Sequence, residues 1–174
     1  MFKELNILQH FFENPTKEFG VREIARLIRI TPATASTKLQ QLKKEHILAS
    51  RKERQLVLYK ADLESDSYRD LKTFTTIRLL KTIGVIDHIN KFYLKPTIVL
   101  FGSASKGLDT HTSDIDIVVV SEKKDVLSDL KIYEKKLKRK IELFPVRTLK
   151  DLKNEHLINN VLNGITLQGE IQWT

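Results

Sequence analysis

Two aspartates separated by a single residue, Asp114 and Asp116, lie in the stretch FGSASKGLDTHTSDIDIVVV, residues 101–120. The apolar runs around them, TIVL before the stretch and IVVV at its end, predict buried strands. In a strand, residues two apart point to the same face, so both carboxylates should project together while Ile115 and Ile117 enter the core. Adjacent carboxylates repel each other unless a positive charge compensates. Hard oxygen ligands on a rigid strand suit a divalent cation, Mg²⁺ above all.

A Gly-Ser pair, Gly102 and Ser103, follows the upstream strand directly. Glycine lets a phosphate approach the backbone, the serine offers a hydroxyl, and Gly107 permits a turn before the next strand. The segment is not a Walker loop, because no Gly-Lys-Ser/Thr follows. It is not a dinucleotide fingerprint either, because GSASKG lacks the Gly-x-Gly-x-x-Gly spacing. A phosphate-binding turn beside a carboxylate pair predicts metal-assisted chemistry on a nucleoside triphosphate.

Gly-Ser followed after ten residues by Asp-x-Asp resembles the signature of the nucleotidyltransferase superfamily related to DNA polymerase β, most closely its minimal prokaryotic members. The resemblance covers residues 80–170. It implies a third carboxylate on a neighbouring strand, and KIELFPV supplies Glu142 where the family often has Asp. The alternative is an ordinary turn followed by an edge strand with exposed aspartates, which the IVVV continuation disfavours.

The resemblance also implies roles for these residues. The implied catalytic and metal-binding residues are Asp114, Asp116 and Glu142. The implied nucleotide-binding residues are Gly102, Ser103 and Lys106. Two Mg²⁺ ions are expected, with Mn²⁺ as an alternative, and the third carboxylate would act on the attacking hydroxyl. The implied reaction is in-line attack of an acceptor hydroxyl on the α-phosphate, expected to be that of ATP, with release of pyrophosphate.

The N-terminal third has the pattern of a DNA-binding module. A first helical stretch is followed by VREIARLIR and by ITPATASTKLQQLKKEH, a third helix with Thr31 as N-cap and Pro32 in its first turn. Two alternating runs, residues 47–50 and 55–60, flank a charged tip and predict a β-hairpin. Residues 3–60 thus resemble the winged helix-turn-helix family of transcription regulators. The candidate DNA-binding residues are Thr34, Thr37, Lys38 and Gln41 on the third helix and Arg51 and Arg54 at the hairpin tip.

Charge supports a polyanionic partner for this module. Residues 1–60 hold 12 Lys and Arg against 6 Asp and Glu, a net +6 of the chain's +8, which leaves +2 for residues 61–174. Double-stranded DNA is the expected partner, and a homodimer is expected because helix-turn-helix proteins usually read paired half-sites. The alternative is a structural or dimerising module with a solvated basic face. The later run EKKLKRK, residues 134–140, predicts a solvated helix end, and Trp173 a packing residue.

The chain is therefore predicted to be α/β (α+β), with three parts. Residues 1–62 would be the winged helix-turn-helix domain, residues 63–95 a helical connector interrupted at Gly84, and residues 96–174 a minimal nucleotidyltransferase domain. The last would hold a mixed β-sheet flanked by helices, one of them over residues 124–138.

Composition limits the location and the chemistry. No run of eighteen apolar residues exists, so we expect no membrane span, and the amphipathic N-terminus does not resemble a signal peptide. The absence of cysteine excludes disulfides, thiolate metal sites and a cysteine nucleophile, and it fits the expected cytoplasmic location.

By analogy with minimal relatives that modify HEPN-type toxin partners, we expect transfer of AMP to a hydroxyl of a protein or nucleic-acid acceptor. The fused DNA-binding module would suit an antitoxin that regulates its own operon. One rival is a transcription regulator whose nucleotidyltransferase-like domain only senses a nucleotide. Another rival is a transferase that acts on small molecules, and such an enzyme would need an acidic pocket to bind its acceptor.

Overall fold

The computed structural model describes residues 2–123 and 125–171, apart from the side chains of residues 2–5. The predictions for Trp173 and for a helix start at Lys124 lie outside these residues. The chain divides into two compact units, Met1–Lys72 and Thr73–Thr174. The described residues form helices, one antiparallel sheet and one mixed sheet, which is compatible with a nucleotidyltransferase fold. Among the described residues, no helix is both long and apolar enough to cross a bilayer.

The first unit consists of helices around a small antiparallel sheet. Its elements are α1 Phe2–Glu13, β1 Phe19–Gly20, α2 Val21–Leu27, α3 Pro32–Lys44, β2 Leu48–Glu53 and β3 Leu56–Ala61. The strands lie in the order β1-β3-β2. Each helix contributes buried side chains to one core, at the helical spacings that the sequence pattern predicts. On α3 these side chains are Ala35, Leu39 and Leu42.

The start of α3 follows from its first residues. Thr31 has extended backbone, and its Oγ1 accepts a hydrogen bond from the backbone N–H of Thr34 at 3.1 Å. Pro32 occupies the first turn, where its missing N–H would have no helical partner. The predicted N-cap is confirmed.

The hairpin differs from its prediction in the length of its strands. Pairing continues from Leu48 opposite Ala61 to Glu53 opposite Leu56, so the turn contains only Arg54 and Gln55. The predicted tip from Arg51 to Arg54 was too long, because charged side chains on an exposed strand do not interrupt backbone pairing.

A seventeen-residue helix, α4 Asp66–Thr82, runs from the first unit into the second. The other elements of the second unit are α5 Val85–Tyr93, β4 Thr97–Phe101, α6 Gly102–Ser105, β5 Ile115–Val120, α7 Lys131–Leu137, β6 Ile141–Val146, a 3₁₀ helix Leu149–Leu152, α8 Glu155–Leu162 and β7 Ile165–Gln168. Gly84, with a φ of +85°, separates α4 from α5 as the sequence predicts.

The sheet of the second unit has strand order β6-β5-β4-β7, with β5 and β6 parallel and the other pairs antiparallel. Both faces of the two central strands are buried. Alternate residues of β5 accordingly pack into two different apolar clusters, Ile115, Ile117 and Val119 into one and Val118 into the other. This burial explains the uninterrupted apolar run IVVV.

The helix predicted over residues 124–138 is confirmed only for α7, and residues 125–130 are not helical. The Tyr93 hydroxyl donates a hydrogen bond to the Asp125 carbonyl at 2.7 Å. That carbonyl would otherwise accept from a backbone N–H one helical turn later. Leu127 and Leu130 are buried in the core beside Tyr93, so tertiary contacts overrule the local helical pattern here.

Candidate active site and candidate nucleic-acid interface

Asp116 and Glu142 lie side by side at the start of two parallel strands. The pairing places Asp116 of β5 opposite Glu142 of β6, one residue after Ile115 opposite Ile141. Paired residues on neighbouring strands project to the same face of a sheet. The sheet register therefore brings together two carboxylates that are separated by 26 positions in the sequence.

Asp114 is the third carboxylate of this group, and it precedes β5 on an exposed stretch. Burial raises the pKa of Asp116, and the negative charges of Glu142 and Asp114 raise that pKa further. The positive charge of Arg139 opposes them and lowers the pKa of Asp116. The three carboxylates thus repel one another in one small region, where a bound cation would be favourable.

Gly102 fits directly against the Asp116 carboxylate. Its φ is +71°, which side-chain-bearing residues rarely adopt. A Cβ atom added there would overlap Asp116 Oδ2 and would lie 3.1 Å from Asp116 Cγ. From the sequence alone, this glycine is expected to allow the approach of a phosphate. The structure adds a second reason, because only glycine leaves room for the carboxylate.

Gly102 begins a single helical turn, α6, which contains the Gly-Ser pair and comes directly after β4. The Ser103 carbonyl accepts hydrogen bonds from the backbone N–H groups of Lys106 at 3.2 Å and Leu108 at 3.0 Å. Lys106 is exposed at the end of this turn. Gly107 has a φ of +65° and allows the reversal that the sequence predicted. Nucleotide binding by Gly102, Ser103 and Lys106 stays a prediction.

Within residues 2–123 and 125–171, no three His, Cys, Asp or Glu side chains are arranged to hold a metal ion. The carboxylates of Asp114, Asp116 and Glu142 are close enough to act on one another electrostatically, but they do not converge on one point.

Residues 84–165 match the family model of the nucleotidyltransferase domain. The match runs from the start of α5 to the start of β7 and includes the Gly-Ser turn and all three carboxylates. It supports membership of this part in the nucleotidyltransferase superfamily and a general nucleotidyl-transfer function, a transferase activity of the EC 2.7.7 kind. Neither the curated proteins nor the solved structures gave a match to the chain.

The nucleotidyltransferase segment, residues 84–165, includes a buried ion pair that the sequence pattern did not predict. Arg139 Nη1 donates to Asp109 Oδ2 at 2.5 Å, and the Asp109 side chain is 2% exposed. The run of residues 134–140 was predicted to be a solvated helix end, which is wrong for Arg139. The available signal was Asp109 itself, an acidic residue in the ten-residue spacer of the nucleotidyltransferase signature.

The candidate DNA-binding residues of α3 lie on its solvent side in the first unit, outside the nucleotidyltransferase segment. Thr34 and Thr37 are exposed, and the Thr37 hydroxyl donates to the Ala33 carbonyl at 3.2 Å. Gln41 Nε2 donates to Glu45 Oε1 at 2.9 Å, so reading a base would require exchanging this contact. Lys38 is half-buried on the same helix.

The two hairpin arginines have different surroundings. Arg51 donates two hydrogen bonds of 2.6 Å to the Glu18 carboxylate and forms an ion pair with Glu53 at 2.7 Å. These bonds raise the pKa of the Arg51 guanidinium, and its hydrogen bonding lowers the pKa of Glu18. Arg54 is exposed in the turn itself, with a φ of +53°. Arg54 is therefore better placed than Arg51 to contact a phosphate.

Proposed function

We propose that this protein is a metal-dependent nucleotidyltransferase that moves a nucleoside monophosphate, AMP from ATP, to a hydroxyl of a protein or nucleic-acid acceptor. The observation that carries the proposal is the placement of Asp116. It lies against Gly102 on one side and is paired in register with Glu142 on the other. The Gly-Ser turn thus contacts one carboxylate of the signature, and a second carboxylate lies beside it on the next strand.

The proposed metal site consists of Asp114, Asp116 and Glu142. The donor set fits a hard divalent cation, since it contains three carboxylates and neither thiolate nor imidazole. The raised pKa of Asp116 is a second sign of fit, because a cation would relieve the repulsion that causes it. When bound, Mg²⁺ or Mn²⁺ would neutralise charge that develops on the phosphate oxygens.

The remaining steps are assigned to side chains of the chain itself. Ser103, Lys106 and the Gly102 backbone would hold the β- and γ-phosphates. The acceptor oxygen forms a bond to the α-phosphorus, the bond from that phosphorus to the bridging oxygen breaks, and pyrophosphate leaves. Glu142 would take the proton of the attacking hydroxyl.

Labelled nucleotide tests this proposal. We expect wild-type protein with α-labelled ATP and Mg²⁺ or Mn²⁺ to label a protein or nucleic-acid band, either alone or with an extract of its host cells. The variant Asp114→Ala with Asp116→Ala should give no labelled band under the same conditions. Absence of label with every nucleoside triphosphate and both metals would refute the transferase.

We further propose that the first unit is a winged helix-turn-helix that binds double-stranded DNA as a homodimer. The arrangement of α2, α3 and the β2–β3 hairpin, and the net +6 of residues 1–60, support this proposal. An antitoxin-like role, with a HEPN-type toxin as the acceptor and regulation of its own operon, is the proposed biological setting and rests on analogy alone.

Salt dependence tests the DNA-binding proposal. Lys38→Ala with Arg54→Ala removes two proposed phosphate contacts. The magnitude of the slope of log K against log salt concentration on a non-specific DNA duplex should then fall by about 1.8 for each bound protomer, or about 3.6 for a homodimer, since each contact contributes about 0.9. Fluorescence anisotropy of a labelled duplex over a salt series measures this slope, and nucleotidyl transfer should be unchanged.

The matched control is Lys135→Ala with Lys150→Ala, which removes two exposed charges from the second unit. It lowers the net charge by the same two units as Lys38→Ala with Arg54→Ala, but it should leave the salt-dependence slope nearly unchanged. An equal fall in slope for both double variants would show that only total charge matters and would contradict an interface on α3 and the hairpin.

A regulator that senses a nucleotide without transferring it is the second candidate function. The observation that favours it is that the three carboxylates do not converge on one point among the described residues. Under this alternative, ATP should bind and alter DNA affinity while no label is transferred.

A further inference from the structure

Arg139 makes three hydrogen bonds to the loop that leads into β5. Besides Asp109, its Nε donates to the Ser113 carbonyl at 2.6 Å and its Nη2 donates to the Asp114 carbonyl at 3.1 Å. These two carbonyls belong to the two peptide groups that flank the Asp114 α-carbon. One guanidinium therefore holds the backbone on both sides of a proposed metal ligand.

The pair is shielded from solvent, since the Arg139 and Asp109 side chains are 13% and 2% exposed. Exposed ion pairs contribute little, whereas a buried pair with several hydrogen bonds is costly to disrupt and fixes geometry. The loop also contains its own turn, in which Thr110 N–H donates to Ser113 Oγ at 2.9 Å. This turn closes the loop locally, and Arg139 joins it to the following strand pair.

The position of Arg139 is itself fixed by the end of α7. Lys138 ends the helix with a φ of +55°, and the Arg139 N–H donates to the Glu134 carbonyl. Glu134 Oε1 then accepts from the Ile141 N–H at 3.0 Å at the start of β6. The guanidinium is thus anchored to the strand that carries Glu142.

We propose that Arg139 is a positioning residue of the nucleotidyltransferase site, which holds the Asp114 backbone in register with β6 so that Asp114 and Glu142 can bind one metal ion. This inference rests on the proposed function, because the metal ion is part of that proposal. Only an arginine suits the position, because its planar fork reaches three acceptors at fixed angles, whereas a lysine ammonium offers one point of attachment. The residue touches no reacting atom and acts through Asp114.

Arg139→Lys tests the proposal while keeping the positive charge next to buried Asp109. Three readouts are measured on the full chain: hydrogen exchange of the backbone over residues 109–116, Mn²⁺ binding by calorimetry, and transfer of labelled AMP from α-labelled ATP over a series of Mn²⁺ concentrations. We expect loss of exchange protection in the loop and Mn²⁺ affinity lower by about 10–100-fold. Transfer should recover partly at high Mn²⁺ concentration.

The matched control is Arg147→Lys, at the other end of β6, where Arg147 pairs with exposed Glu122 at 3.7 Å. We expect this variant to match the wild type in all three readouts. If Arg139→Lys likewise keeps wild-type loop protection and Mn²⁺ affinity, Arg139 is a stabilising residue only and the proposal is wrong.

The readouts separate failure of this inference from failure of the proposed function. If wild-type protein binds Mn²⁺ but transfers no nucleotide, the exchange and calorimetric results still decide the role of Arg139. If wild-type protein binds no Mn²⁺, the proposed metal function fails and the metal part of this inference is overturned with it. If circular dichroism shows that Arg139→Lys is unfolded, the double variant Arg139→Gln with Asp109→Asn is measured in its place. That double variant removes both charges and should again lose loop protection and Mn²⁺ affinity.

Discussion

Asp116→Asn should abolish nucleotidyl transfer and, at neutral pH without added metal, raise the melting temperature of the protein. Loss of a metal-binding carboxylate removes several kcal/mol of transition-state stabilisation, which corresponds to about 10³-fold or more in rate. Stability should change in the opposite direction. The charged Asp116 side chain is partly buried and is repelled by Glu142 and Asp114, and asparagine keeps the shape without the charge.

The pH dependence of this gain follows from the direction of the pKa shift. The pKa of Asp116 is raised in the folded protein by burial and then by its acidic neighbours, relative to an ordinary value of 3.8. A raised carboxyl pKa favours the folded state at low pH, and this contribution is lost as pH rises from the ordinary value through the raised one. The gain of Asp116→Asn should therefore be absent below pH 3.8 and present at neutral pH. It should amount to a few degrees at most, because solvent screens a half-exposed carboxyl.

Melting curves with and without Mn²⁺, together with the labelled transfer assay, measure both effects. Mn²⁺ should raise the melting temperature of the wild type, since the proposed metal site exists only in the folded state, and should raise that of Asp116→Asn much less. Asp129→Asn, an exposed aspartate outside the acidic group, is the matched control and should alter neither quantity. Transfer by Asp116→Asn at a rate near that of the wild type would show that Asp116 is not a metal ligand.

Gly102→Ala should both destabilise the protein and reduce transfer by about a hundredfold. An alanine at positive φ costs about 1–2 kcal/mol, and here its Cβ would also overlap the Asp116 carboxylate. The carboxylate must then move, and a displacement of about 1 Å in a catalytic group can cost about 10²-fold in rate. Urea denaturation gives the free energy of unfolding, and the labelled assay gives the rate.

Gly84→Ala is a close control because Gly84 also has positive φ, +85°, but has no atom within 4 Å of an added Cβ. It should lose about the same 1–2 kcal/mol of backbone energy and should retain transfer. The differences between the two variants in free energy of unfolding and in transfer rate therefore measure the effect of the contact with Asp116. Equal effects on stability and on rate would mean that backbone strain alone explains Gly102.

The features that the sequence predicted correctly are those that a short segment determines. The N-cap at Thr31, the break at Gly84 and the strands on either side of the Gly-Ser turn each follow from a few adjacent residues. Glu142 could be placed on a strand beside Asp116 because the resemblance supplied the long-range pairing.

The features that the sequence did not predict depend on contacts between distant residues. The Tyr93 hydroxyl donates to the Asp125 carbonyl in a segment that is not helical, and Arg139 forms an ion pair with buried Asp109, thirty positions earlier in the sequence. Charged residues in a lysine-rich run are usually solvated, so composition predicted the wrong surroundings for Arg139. The close approach of Gly102 to Asp116 likewise requires the sheet register, which no local pattern contains.

The position of the transferred label distinguishes nucleotidyl transfer from phosphoryl transfer. Wild-type protein, Mn²⁺ and host extract are incubated in parallel with ATP labelled at the α-phosphate and ATP labelled at the γ-phosphate, and Asp116→Asn is run beside each. We expect only the α label to become attached to a macromolecule, and only with the wild type. Attachment of the γ label would indicate phosphoryl transfer. Equal α labelling by Asp116→Asn would show that the reaction does not need the Asp116 carboxylate. Either result would contradict a nucleotidyltransferase site at Asp116.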